Sequence, residues 1–164
     1  MKFKQNNEPE KVENPIKDGF IDLIQFEITK LSLISSAKFY FYQNGLMNYK
    51  KFFKHLYKEC EEIKHCLVSF ATEIGIELPD FKLPKSVEFS NSKEPFEKLA
   101  EMEDEFEDKL NSLIDLAFED KNWKVFHYLL KKLDTIDHLC CRALAAVENN
   151  ANVLDLCEQH TSEK

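Results

Sequence analysis

Residues that break helices are rare in this chain and fall at only a few positions. The 164 residues include three Gly and five Pro. A proline inside a helix removes a backbone hydrogen bond and clashes with the preceding turn, so long stretches without proline can remain helical. Two of the prolines, with Ser and Asn around them, fall in one segment, 76–94, that has no helical period. The sequence therefore predicts long helices on either side of one irregular link.

Apolar residues recur at helical spacing in four segments of the chain. The first begins at Asn14-Pro15, a cap followed by proline, and the second stops at Gly75, a residue typical of helix C-termini. The predicted helices cover about 15–43, 47–74, 95–120 and 123–148. Residues 1–14 are predicted to be a disordered extension, and 150–164 a short C-terminal helix or tail, with a weak apolar pattern at 153–156.

The lengths of the connections predict the topology. Short turns after the first and third helices make those pairs antiparallel neighbours. A helix of about 28 residues is about 42 Å long. The link 76–94 can stretch to roughly 60 Å, enough to run the whole length of a bundle. Two helical hairpins joined by one long crossover make an all-α, ferritin-like four-helix bundle, and 15–149 is expected to be one domain.

Composition excludes several classes of function. No run of apolar residues is long enough to span a membrane, and the polar N-terminus lacks the apolar stretch of a signal peptide, so a cytoplasmic location is expected. Five cysteines without a Cys-x-x-Cys pair predict neither a disulfide framework nor a zinc site. The net charge of −8 argues against nucleic-acid binding and is compatible with a surface that attracts cations.

Three stretches carry a resemblance to a known family: 24–27 (IQFE), 48–53 (NYKKFF) and 115–126 (DLAFEDKNWKVF). Over about 16–148 the chain resembles the ferritins in helix lengths and turn positions. The resemblance implies an iron-storage subunit of a closed cage, 24 chains in the family. It also implies a two-iron ferroxidase centre inside the bundle, built from one Glu each of helices one and three, a Glu-x-x-His of helix two, and a Gln or Glu of helix four. Carboxylates there bridge and charge-balance the irons while imidazole completes the coordination.

Glu27 and Glu103 match the ligand positions of helices one and three. Helix two contains a literal Glu-x-x-His at Glu62 and His65, which is the right spacing for two ligands on one helical face. This register requires a two-residue insertion after the first turn and a compensating deletion before residue 75.

The apolar pattern of helix two favours a different register. Phe53, Cys60, Ile63 and Leu67 belong to one stripe at helical spacing, and Glu62 lies roughly opposite it. An ungapped alignment with a bacterial-type ferritin places Cys60 at the Glu position and Ile63 at the His position. We therefore expect Cys60 to be a replaced ligand.

Helix four departs from the family as well, because Ile136 falls at its Gln position and Leu139 at an accessory Glu position. The alternative for Glu27 is a buried carboxylate paired with a lysine, and Lys132 and Lys38 are the lysines predicted to face inward. Buried charges need such a partner. The polar face of helix two consists of Glu61, Glu62 and His65. This face is either an ordinary solvated surface or a surface that lines the cage interior and nucleates mineral.

The sequence thus predicts a ferritin-like cage subunit for intracellular iron storage that has lost its own oxidation centre. No residue is predicted to be catalytic, and iron is expected only weakly bound or as mineral. The expected partners are further copies of the chain and a second ferritin subunit that oxidises iron, with no nucleic acid and no membrane. The alternative is a metal-free protein of the same fold with a structural or interaction role.

Overall fold

The computed structural model describes residues 14–134 and Ala145, and this part of the chain contains helices and no strand. Three helices are described in full: α1 (Pro15–Gln43), α2 (Met47–Glu73) and α3 (Glu94–Glu119). A fourth, α4, is described over 123–134. The ends of the first three helices agree with the predictions within one residue. The predicted end of α4 and the short fifth helix or tail lie outside the described residues.

The helix ends have identifiable local causes. The side-chain oxygen of Asn14 accepts a hydrogen bond from the backbone N–H of Lys17 at 3.1 Å, and Pro15 follows as the first helical residue. Gly45 in the first turn and Gly75 after α2 have φ angles of 72° and 81°. Residues with a Cβ rarely adopt this left-handed conformation, so both turns depend on glycine.

The crossover, residues 76–93, runs along α1. The side chain of Gln25 holds the backbone of Lys82 with two hydrogen bonds, one donated by Nε2 at 2.9 Å and one accepted by Oε1 at 3.0 Å. The hydroxyl of Ser36 accepts a hydrogen bond from the N–H of Val87 at 3.0 Å. Side chains of α1 thereby satisfy backbone groups of the crossover, which joins the two hairpins as predicted.

The hydrophobic core is continuous across the helices. At one end of the bundle, rings from three helices pack together, with centroids 5.1 Å apart for Phe53 and Phe96 and 5.4 Å apart for Phe41 and Phe53. Toward the other end, a Cβ added at Gly19 of α1 would lie 2.6 Å from Cδ1 of Leu113 on α3. These contacts hold α1, α2 and α3 in a fixed relation around the middle of the bundle.

Candidate metal centre

Three charged side chains are fully buried in the middle of the bundle. Glu27 and Lys30 lie one turn apart on α1, Glu103 lies on α3, and each is 0% exposed. Within the part of the chain that the structure describes, no other charged side chain is buried. Charges in a bundle core are costly unless they are paired, so their mutual geometry decides what the centre can do.

Lys30 joins the two carboxylates. Its Nζ lies 2.5 Å from Oε1 of Glu27 and 3.1 Å from Oε1 of Glu103. It donates a hydrogen bond to Oε2 of Glu103 at 3.2 Å and lies 4.4 Å from the centroid of the Phe106 ring. The contact with Glu27 is the shortest of these, and Glu27 has no other side-chain partner among the described residues. The ammonium group therefore occupies the space between the two carboxylates.

The charges in this triad do not balance, because one ammonium group faces two carboxylates. Burial raises the pKa of Glu27 to about 7, the charge of Lys30 opposes that rise, and Glu103 adds to it. Burial alone would lower the pKa of Lys30, but Glu27 and Glu103 outweigh it and hold that pKa above its ordinary range. Lys30 thus remains charged, and Glu27 is the group that takes up a proton near neutral pH.

Helix α2 contributes two residues of low metal affinity to the same region. Cys60 is 0% exposed and Ile63 is 4% exposed, and both belong to the core. Burial raises the pKa of the Cys60 thiol, with Lys30 opposing the rise. Since the thiolate is the form of cysteine that binds metals, this environment disfavours Cys60 as a ligand. The side chain of Ile63 has no lone pair to offer.

The polar face of α2 points to solvent in the described chain. Glu61, Glu62 and His65 are exposed, and with Lys64 and Cys66 they line an open cavity of about 530 Å³. The inward stripe chosen from the apolar pattern is therefore confirmed. The roles of these residues in binding metal or nucleating mineral stay predictions. Among the described residues, no three His, Cys, Asp or Glu side chains are grouped as ligands of one metal ion.

The buried partner of Glu27 is Lys30, so the prediction of Lys38 or Lys132 as that partner was wrong. Lys38 and Lys132 are only partly buried, and their Nζ atoms lie 5.0 Å and 5.7 Å from the ring centroids of Tyr57 and Tyr128. The signal for Lys30 was present in the sequence, because a residue three positions after Glu27 shares its face of a helix. Ile136 and Leu139 lie outside the described residues.

The described donors do not fit a pair of iron ions. Such a pair needs several oxygen and nitrogen lone pairs that converge on one small volume. Here Glu27 and Glu103 already share a cation, and the ammonium group that supplies it fills the volume between them. The arrangement is that of a buried ion pair linking α1 and α3.

Comparisons with known proteins agree with this fold. The sequence profile of the ferritin-like domain matches residues 21–139, and the chain belongs to the ferritin family. No curated protein sequence matches it significantly. None of the described helices is long and apolar enough to cross a membrane.

The most similar solved structures in the comparison include several ferritins. Apo-ferritin from Pseudo-nitzschia multiseries has a TM-score of 0.79 and 18% identity over 84% of this chain and 88% of its own. An open pore ferritin from the hyperthermophilic archaeon Archaeoglobus fulgidus has a TM-score of 0.80 and 18% identity, over 87% of this chain and 88% of its own. An iron-soaked variant of the ferritin PmFTN gives a TM-score of 0.80 and 18% identity over 85% and 90% of the two chains. At this identity the likeness shows the fold.

Proposed function

We propose that this chain is a subunit of a ferritin-like cage that stores iron without a ferroxidase centre of its own. The observation that carries the proposal is the position of the Lys30 ammonium group between Glu27 and Glu103. Those carboxylates stand at the positions where the family resemblance implies iron ligands. In this chain a side-chain cation supplies the positive charge that iron would bring.

Iron entering this centre would have to displace Lys30. That ammonium group is 0% exposed and would lose both of its anionic partners, while the carboxylates would lose theirs until the metal bound. Cys60 would have to give up a proton that its burial stabilises. Each requirement opposes tight binding of a first iron ion, and a second ion finds fewer donors still. We therefore assign the triad a structural role.

Storage would depend on the polar face of α2. Glu61, Glu62 and His65 supply two carboxylates and an imidazole, all exposed and all beside one open cavity. Oxygen and imidazole ligands suit iron. In the ferritins the second helix faces the cage interior, so the same placement here would put these residues in contact with the stored mineral. Oxidation of ferrous iron would then be slow or supplied by a second type of subunit. The cytoplasmic location stays a prediction.

The surface of α1 supports the assembly of several copies. Between Asp22 and Lys38 the only charged residues of α1 are Glu27 and Lys30, and both are buried. The helix itself therefore presents no charge over about four turns, and the crossover that partly covers it exposes Lys82 and Lys85 beside it. In a chain with 32% charged residues, such a surface is typical of an interface core, where charge is depleted.

An exposed leucine and an open cavity lie beside this part of α1. Leu83 of the crossover is 88% exposed, and next to it is an open cavity of about 580 Å³. The cavity is lined by apolar residues that include Ile21, Phe81 and Pro84, and by charged residues: Asp18, Asp22, Asp80 and Lys82. A two-fold arrangement would place Leu83 of each copy at the cavity of the other, because a two-fold interface repeats every contact. We propose this contact as one step in building a closed cage, of 24 chains as in the family.

Iron content separates storage from the metal-free alternative. The chain, produced in iron-rich medium and passed through gel filtration, is expected to carry much more iron than one site per chain can hold. The variant Glu61→Gln/Glu62→Gln/His65→Gln should carry much less. A control with the same exposed charges removed elsewhere, Glu97→Gln/Glu101→Gln/His127→Gln, should match the wild type. Background iron in all three proteins would support the metal-free alternative.

A further inference from the structure

The first half of α2 carries a basic strip in a protein of net charge −8. We define the strip as Lys51, Lys54, His55 and Lys58, which are all exposed. The spacing i, i+3, i+4, i+7 places the four side chains on one face of the helix. No Asp or Glu occurs between Met47 and Lys58. The strip is thus a local region of positive charge on an acidic protein.

The carboxylates nearest to the strip in the chain, Glu59, Glu61 and Glu62, lie at its C-terminal end on α2. None of the three lysines forms an ion pair with another described residue, whereas Lys98, Lys109 and Lys124 each do so elsewhere on the surface. The start of α2 adds partial charge of the same sign. Leu46 provides no side-chain cap, and no acidic residue lies in the first turn. The helix dipole therefore places positive partial charge at this end of α2.

We propose that the basic strip binds inorganic phosphate and related small oxyanions. Three ammonium groups and one imidazole on a single face can donate charge-assisted hydrogen bonds to the oxygens of such an ion. The acidic and histidine residues Glu61, Glu62 and His65 continue the same side of α2 directly after Lys58. If the proposed storage function holds, the two halves of α2 would deliver phosphate and iron to one mineral.

The size of the strip favours a small anion over a nucleic acid. From Lys51 to Lys58 the helix rises about 10 Å, which is short compared with the phosphate backbone that a nucleic-acid-binding face contacts. A longer polyanion would extend onto Glu61 and Glu62, and carboxylates repel phosphate. The net charge of −8 adds long-range repulsion for a large polyanion.

The first test uses iron-free protein and inorganic phosphate in equilibrium dialysis at low and moderate salt. The variant Lys51→Gln/Lys54→Gln/Lys58→Gln is expected to weaken phosphate binding about tenfold. The control Lys93→Gln/Lys121→Gln/Lys131→Gln removes the same charge from scattered exposed positions and should bind like the wild type. Equal weakening in both variants, or no saturable phosphate binding by the wild type, would overturn the proposal. Tighter binding of a short DNA duplex than of phosphate, lost in the strip variant, would also overturn it.

The second test loads each protein with ferrous iron in air and inorganic phosphate, then measures phosphorus and iron after desalting. The strip variant should keep its iron and show a lower ratio of phosphorus to iron than the wild type and the control. An unchanged ratio would contradict the link between the strip and the mineral. Absence of stored iron in every protein, together with phosphate binding by the iron-free wild type, would count against the storage function and leave the phosphate site standing.

Discussion

Lys30 and Glu27 lie three residues apart on α1, and the Nζ of Lys30 is 2.5 Å from Oε1 of Glu27. The same Nζ reaches both carboxylate oxygens of Glu103 on α3, at 3.1 Å and 3.2 Å. The ammonium group of Lys30 thus supplies the positive charge that the two facing carboxylates require. Because its partners are on different helices, Lys30 also links α1 to α3 at the middle of the bundle.

Stability should depend on pH through Glu27. The pKa of Glu27 rises from about 4.5 to about 7 on folding. Between these values the folded protein holds a proton that the unfolded chain releases, so the free energy of unfolding falls as pH rises. We expect a loss of about 1–3 kcal/mol between pH 4.5 and pH 7. Urea denaturation at a series of pH values measures this slope.

The matched variant for this prediction is Glu27→Gln, which keeps the shape of the side chain and cannot ionise. Its stability should depend less on pH across this range and should equal or exceed that of the wild type at pH 7. An identical slope in the variant and the wild type would show that another group is responsible.

Removal of Lys30 alone should be strongly destabilising. Lys30→Met leaves Glu27 and Glu103 buried without a cation, and we expect a loss of about 3–5 kcal/mol in urea denaturation at pH 7. The variant Glu27→Leu/Lys30→Met/Glu103→Leu removes all three charges and should recover most of the loss, since apolar side chains can replace a buried ion pair without penalty. If the single change costs less than about 1 kcal/mol, the triad does not hold the helices together.

Much of this architecture was predictable because it depends on the helical spacing of apolar residues and on a few Gly and Pro residues at the helix ends. The apolar stripe of α2 placed Cys60 and Ile63 inside and Glu62 outside, against a literal Glu-x-x-His motif. The lysine partner was harder to predict. The spacing of Lys30 and Glu27 indicates that these two residues can pair, but nothing in the pattern of α1 indicates that Lys30 also contacts Glu103. That depends on how α3 packs against α1, and the pattern of one helix does not contain it.

Assembly should depend on Leu83. Placing a charge at this exposed position of the crossover would bury an unpaired carboxylate in the proposed two-fold contact, so Leu83→Asp should shift the protein from a large oligomer to small species. Leu83→Met keeps an apolar side chain of similar volume and should assemble normally. Gel filtration with light scattering distinguishes the two outcomes. Wild-type assembly of Leu83→Asp would show that the uncharged face of α1 is used differently or not at all.

The position of Lys30 also changes what restoration of an oxidation centre would require. Cys60→Glu and Ile63→His, with Ile136→Gln, return the ligand types that the family resemblance implies, but they leave the ammonium group between Glu27 and Glu103. We therefore expect this triple variant to remain inactive. Adding Lys30→Ala frees the volume and both carboxylates, and activity should appear only then.

The most direct test of the account is stopped-flow absorbance after ferrous iron is mixed with the wild-type protein in air. Oxidation at a two-iron centre requires both ions to be held close together by converging donors, and the Lys30 triad offers a cation in that place. We predict that the early rate of ferric iron formation equals that of buffer alone. A fast phase that saturates at two iron ions per chain would contradict the proposal that this subunit has lost its ferroxidase centre.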